Sequence, residues 1–214
     1  MIDCVRITVR DKPMQVLEIP TTNAVSFSPL LRRYTLEEFW DLPVPKDRAH
    51  YELIGGYLFM VPPPDWPHDD FDERLNKSLI LFLASHSMPG KVYHPRASIY
   101  TDDTYLEPDM IYVSNELATR MGKRRTSADI VFECLSESSA NYDRTTKADT
   151  YLALGVRELW LIDSDNWTIE VRHRIMKESF PAWEIVRNGK GEWAESRVLS
   201  GWRVSVDELF AGLV

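Results

Sequence analysis

The chain of 214 residues has only two cysteines, Cys4 and Cys134, so disulfides cannot build its framework. The two form no CxxC pair and have no nearby histidines at zinc-finger spacing. A chain of this length can bury a core without such staples. The sequence therefore predicts two reduced thiols and a cytoplasmic protein, and a single disulfide between them is the alternative.

Long hydrophobic runs are also missing. No window approaches the roughly 20 apolar residues that a membrane-spanning helix needs. The first residues, MIDCVRITVRDKPM, place charges among the apolar positions, which is not the pattern of a signal peptide. We therefore expect no membrane partner.

Basic residues are fewer than acidic residues. The chain has 33 acidic against 25 basic residues, a net charge of −8. Because unspecific binding to phosphates depends mainly on Lys and Arg, this balance argues against a protein that coats nucleic acid. It is compatible with an enzyme that combines an acidic metal site with one local basic patch.

Two regions differ in pattern. Residues 1–33 predict an N-terminal arm and linker, in which apolar and polar residues alternate over Val5–Val9 and a Pro-, Ser- and Thr-rich stretch follows at 20–30. Such an arm could pack on the body or on a second subunit. Residues 34–214 predict one layered domain.

The domain begins with a helix, since Thr35 and Glu38 form a capping box. Gly55-Gly56 between two apolar runs predicts a hairpin. Helices are expected at 66–87 and 139–154, and a polar stretch is expected at 114–128. Strands are expected at about 92–100, 108–113, 129–135, 158–163, 166–174, 182–187 and 192–199, with a last short helix from Ser205. This order predicts an α/β (mixed α+β) fold, with a mixed sheet flanked by helices.

Three carboxylates lie in or beside apolar strands: Glu52, Asp109 and Glu133. Burying a carboxylate is costly unless it is paired or bound to a cation. If the strands are neighbours, the three would cluster, and hard divalent cations take oxygen ligands of this kind. For Glu52 the alternative is an exposed hairpin edge, and for Asp109 a turn after Pro108.

Lys147 is predicted to join these carboxylates. It lies on the helix after the Glu133 strand, four residues from both Asp143 and Tyr151, so the three share one helical face. Turned toward the sheet, that face would bring the ammonium to the end of the Glu133 strand, where it could position water for attack on a phosphodiester. A solvated face with ordinary ion pairs is the alternative.

Two further features have a structural and a functional interpretation. His68 opens the first long helix and is either a capping or surface residue or a part of the site. The basic cluster Arg120, Lys123, Arg124 and Arg125 is either a solvated loop or a patch that contacts nucleic-acid phosphates.

Taken in order, these segments resemble the Uma-type family of restriction endonucleases, within the PD-(D/E)XK nuclease superfamily. The resemblance covers about residues 34–211 and rests on the joint order of YELIGGYL, PPP with His68, EPDMIYV, DIVFECLS, DRTTKADTY, GVRELWLID and SVDELF. It implies a restriction-endonuclease-like core. Pro108-Asp109 matches the PD pair, Glu133 the second acid, and Glu52 the additional acid.

The lysine of the superfamily usually follows the second acid by two residues, but Leu135 occupies that position here, and in the Uma-type family the lysine lies on the following helix. The resemblance assigns the lysine role to Lys147, supported by Asp143 and Tyr151. The sequence departs from the family pattern at two positions. Glu137 replaces a proline, and Cys134 replaces an aliphatic residue. The backbone carbonyl of Cys134 could still bind a metal.

The resemblance implies a Mg²⁺-dependent endonuclease, with Mn²⁺ as a possible substitute, that acts on DNA. Asp109, Glu133 and Cys134 would hold the metal. A cut through both strands needs two active sites, which favours a homodimer. The rivals are an inactive nucleic-acid-binding or scaffold protein with the same fold, and a phosphodiesterase for RNA or small substrates.

Overall fold

The computed structural model describes residues 32–45, 49–63, 68–95 and 97–212, and of His68 and Asp69 only the backbone. The strand predicted at residues 5–9 and the linker lie outside these ranges. No helix in the described ranges is long and apolar enough to cross a membrane.

Twelve strands and six α-helices make up the described chain. The strands are β1 His50–Ile54, β2 Tyr57–Val61, β3 Gly90–Tyr93, β4 Ile99–Tyr100, β5 Tyr105–Leu106, β6 Met110–Ser114, β7 Ile130–Leu135, β8 Glu158–Asp163, β9 Thr168–Lys177, β10 Phe180–Asn188, β11 Trp193–Glu195 and β12 Arg203–Ser205. The helices are α1 Leu36–Trp40, α2 His68–Ser85, α3 Asn115–Met121, α4 Ala140–Tyr142, α5 Ala148–Ala153 and α6 Val206–Phe210. A π-helical segment, Asp143–Lys147, joins α4 to α5.

The largest sheet has six strands in the order β10-β9-β8-β7-β6-β3. Its central pair, β7 and β8, is parallel, and the other pairs are antiparallel. A parallel pair needs a crossover connection, which α4, the π-helical segment and α5 provide here. The prediction of a mixed sheet with helices, an α+β fold, is confirmed.

Helices cover both faces of this sheet, and β7 shows how. Its residues Ile130, Phe132 and Cys134 pack in one core with the apolar stripe of α2. Val131 and Leu135 pack in a second core with Ala148 and Tyr151 of the crossover. Because side chains alternate along a strand, Glu133 points to the crossover side and Cys134 to the α2 side.

A second sheet, in the order β2-β1-β5-β4, carries Glu52. The predicted hairpin is present, and both Gly55 and Gly56 have the positive φ that its two-residue turn requires. The edge position considered for Glu52 is wrong, because β1 lies between β2 and β5 and the side chain is fully buried.

Several predicted boundaries differ. The strand predicted at 92–100 is two strands, β3 and β4, in different sheets. The polar stretch 114–128 contains α3, which Ser114 caps by accepting from the Leu117 N–H. The strand predicted at 192–199 is only three residues long, and it pairs with β12 in a separate two-stranded sheet.

Candidate active site

Lys147 lies at the centre of the site, where the π-helical segment faces the sheet. Its Nζ is 2.7 Å from Glu133 Oε1 and 3.5 Å from both Glu52 Oε1 and Asp143 Oδ1. The ammonium is almost fully buried, at 5% side-chain exposure. The structure thus brings residues from β1, β7 and the crossover to one point.

The carboxylates around Lys147 are held by further hydrogen bonds. The Tyr151 hydroxyl donates to Glu133 Oε1, and the Tyr142 hydroxyl donates to Glu52 Oε2 at 2.9 Å. Glu52 Oε1 also accepts from the Glu107 N–H at 3.0 Å. Such bonds fix the orientation of each carboxylate before any ligand arrives.

Asp109 stands beside this group at the start of β6. Its Oδ2 accepts from the backbone N–H of Cys134 at 2.8 Å, which ties the loop before β6 to β7. Asp109, Glu133, Asp143 and Lys147 line the same cleft, together with His50 of β1. Glu107 lines the cleft as well, so the cleft has five acidic residues, counting Glu52 behind Lys147, against one lysine.

Burial and charge act in opposite directions on these groups. Burial raises the pKa of Glu133 well above its usual value, and Lys147 only partly offsets that rise. Burial also raises the pKa of Asp143, to about 6. Burial would lower the pKa of Lys147, but Glu133, Glu52 and Asp143 raise it well above its usual value, so the ammonium stays charged. For Glu52, the charges of Lys147 and His50 outweigh burial and lower the pKa.

This excess of carboxylates matches what a hard divalent cation needs. Asp109 and Glu133 offer oxygen ligands at the cleft wall, and Cys134, the residue directly after Glu133, offers its backbone carbonyl there. Burial is the main cause of the raised pKa of Glu133, and a cation there would offset the smaller contribution from the neighbouring carboxylates. The donor set therefore fits Mg²⁺ or Mn²⁺.

Not all of the predicted site residues join this cluster. Arg124 pairs with Asp102, and Arg125 donates to the Ser98 carbonyl and lies over the Tyr93 ring. Arg120 and Lys123 are exposed at the end of α3 and just after it. His68 begins α2, but its side chain is outside the described part of the chain.

Three residues near the site were missed from the sequence: His50, Asp72 and Tyr142. Asp72 could have been found, because it follows Phe71 and precedes Leu75 on the apolar stripe of α2, where an acid is unexpected. For His50 and Tyr142 the sequence pattern gives no such signal.

Comparison with known proteins now adds the family. A family model, Uma2, described as “Putative restriction endonuclease”, matches residues 36–213. The chain belongs to the Uma2 family. The sequence-based assignment is therefore confirmed. A search of the curated proteins finds no match for this Uma2 chain.

A solved structure supports the fold. The Uma2 chain is similar to a crystal structure from Anabaena variabilis ATCC 29413, described as “a putative nuclease belonging to DUF820”. The two share 20% sequence identity with a TM-score of 0.67, over 85% of this chain and 99% of the other. At this identity the likeness establishes the shared architecture.

Proposed function

We propose that this Uma2 protein is a Mg²⁺-dependent endonuclease that hydrolyses phosphodiester bonds in DNA. The observation that carries the proposal is the convergence of Glu52, Glu133 and Asp143 on Lys147, in a cleft that Asp109 also lines. Membership of a restriction-endonuclease family supports the reaction class.

Each residue has a role in this proposal. Asp109, Glu133 and the Cys134 carbonyl would hold the cation, whose positive charge would stabilise the scissile phosphate. Lys147 donates a hydrogen bond to the attacking water and stabilises the charge that develops on the phosphate oxygens. Glu52 and Asp143 keep Lys147 charged and in place, and Tyr151 fixes the Glu133 carboxylate.

Cleavage assays with matched variants test the proposal. We expect the purified full chain to cut duplex DNA with Mg²⁺ or Mn²⁺ and not with a chelator. Asp109→Asn and Lys147→Ala should each lower the rate by about a hundredfold or more. Lys91→Ala, which removes an exposed lysine on β3, is the control and should cut like the wild type.

The Asp109 variant is the safer test. Removing Lys147 leaves the buried carboxylates without the ammonium group that pairs with them, which can unfold the chain. If wild type shows neither cleavage of DNA nor calorimetric binding of divalent cations, the proposal fails. The same assay with RNA distinguishes the phosphodiesterase alternative. Binding of nucleic acid without cleavage would favour the inactive scaffold.

We further propose that two copies assemble as a homodimer. The β9–β10 hairpin supports this, because β10 is an edge strand of the six-stranded sheet. Met176, Phe180 and Ile185 on this hairpin are 60%, 74% and 48% exposed. An edge strand with exposed apolar side chains can pair with another strand, and twofold pairing would supply two active sites.

A further inference from the structure

The side chain of Cys134 lies on the other side of β7 from Glu133, next to Asp72 of α2. Its Sγ donates to Asp72 Oδ1 at 3.5 Å. Ligand atoms of Asp72, Asp109 and Cys134 all lie within 4.8 Å of one another. Asp72 and Cys134 are each 5% exposed, so two of the three residues are buried in the fold.

The separation of the Asp72 and Cys134 ligand atoms suits a single small cation. Two ligand atoms at 2.0–2.3 Å from a tetrahedral zinc ion are about 3.5 Å apart. The Asp72 oxygen and the Cys134 sulfur already have that separation. Asp109 is fixed in turn by the Cys134 N–H, and the other oxygen of Asp72 faces His94 Nε2 at 3.6 Å. A partner on the outer oxygen is a common way to orient a ligating carboxylate.

The sulfur decides which cation fits. Mg²⁺ takes oxygen ligands, whereas thiolates favour zinc and its chemical relatives. We propose that Asp72, Asp109 and Cys134 form a site for a thiophilic divalent cation of the zinc class. With three protein ligands, one coordination position stays open. Asp109 serves both this site and the proposed Mg²⁺ centre, but the thiophilic site does not depend on nuclease activity.

Cobalt is a suitable probe, because a cobalt–thiolate bond gives a charge-transfer band in the near ultraviolet. The full chain with Cys4→Ser has Cys134 as its only thiol. We expect equimolar Co²⁺ to produce the band and Zn²⁺ to abolish it. Cys134→Val should remove it, and Asp72→Asn should weaken Co²⁺ binding by about tenfold or more.

Glu73→Gln is the matched control, because Glu73 is the exposed neighbour of Asp72 on α2. It should bind Co²⁺ like the parent. The proposal is overturned if the folded parent gives no band, or if the band and affinity are unchanged in Asp72→Asn. If Cys134→Val fails to fold, the parent protein is treated with a thiol reagent in the presence and absence of Zn²⁺. The site predicts that Zn²⁺ protects the Cys134 thiol, and a thiol that reacts equally fast with Zn²⁺ would contradict it. Absence of DNA cleavage would leave these results unaffected.

Discussion

At the scale of single residues, the site places several carboxylates close together, and their mutual repulsion is unfavourable. Glu52, Glu133 and Asp143 surround one lysine and are fully or almost fully buried, and the more exposed Asp109 lines the same cleft. Natural active sites often hold such repulsion at a cost in stability, because a ligand relieves it. The variants that test this lie within the cluster.

Asp143 should make the metal-free protein more stable at mildly acidic pH. Its pKa rises from 3.8 to about 6 on folding, because of burial, so the folded state binds a proton more tightly than the unfolded state. The group therefore adds stability below its unfolded pKa, and that contribution is lost as pH rises through about 6. The difference is up to about 3 kcal/mol.

Asp143→Asn removes this titration. In chelator, we expect the variant to be more stable than wild type at about pH 7.5, and the gap to shrink toward about pH 4.5. Urea unfolding at several pH values measures it. A variant that is less stable than wild type by the same amount at every pH would contradict the assignment.

Tyr151→Phe tests the support of Glu133. Losing the buried hydroxyl should lower the free energy of unfolding by about 1–2 kcal/mol. It should also slow cleavage about tenfold, because Glu133 would hold the metal in a less fixed orientation. Tyr57→Phe, at a more exposed tyrosine of β2, is the control. Normal cleavage by Tyr151→Phe would remove Tyr151 from the site.

At the scale of elements, one carboxylate holds the β11–β12 region to the main sheet. Glu158 of β8 accepts hydrogen bonds from the Ser196 hydroxyl at 2.7 Å, from the backbone N–H groups of Arg197 and Val198, and from the Trp160 indole. Burial raises the pKa of Glu158, but the hydrogen bond with His173 and those from Ser196, Val198 and Trp160 outweigh it, so the pKa is lowered. The connection is between residues nearly forty positions apart.

Glu158→Gln should therefore lower the free energy of unfolding by about 2–4 kcal/mol, since several donors lose a charged acceptor. Urea unfolding checks it, with Glu195→Gln, an exposed acid on β11, as the control. The same loss in both variants would mean that Glu158 has no special role.

The elements also show which patterns predict structure. The Thr35 capping box, the Gly55-Gly56 hairpin and the end of the crossover helix at Gly155 are all present. Each depends on a residue type with a specific local role: a threonine hydroxyl caps a helix, and glycine tolerates a positive φ. In contrast, β5 and β12 have two and three residues, too few to show a period of two, and were missed.

At the scale of the whole molecule, the exposed β10 edge leads to a prediction about assembly. Ile185→Lys should shift sedimentation from dimer to monomer, because a charge on the edge opposes strand pairing. Ile80→Lys on α2 is a matched control, since both isoleucines are 48% exposed. A wild-type protein that sediments as a monomer at all concentrations would refute the dimer.

The sequence by itself determined the family, the order of the central elements and the kinds of group that form the site. Carboxylates in apolar strands and a lysine one helical turn from Asp143 are visible without a structure, because burial of charge is chemically unusual. The structure alone decided how these groups meet. Glu52 reaches Lys147 across 95 positions of the chain, because the β1–β2 hairpin packs on the crossover, and local patterns do not encode that packing.

The tertiary structure also decided which partners the neighbouring residues Glu133 and Cys134 have on the two opposite faces of the sheet. The sequence predicts that successive side chains of β7 point to opposite faces of the sheet, but it does not predict which helix covers each face. Only the packed sheet sets Glu133 against Lys147 and Cys134 against Asp72. Contacts between distant segments depend on how whole faces pack together, so the tertiary structure determined which residues could share a cation.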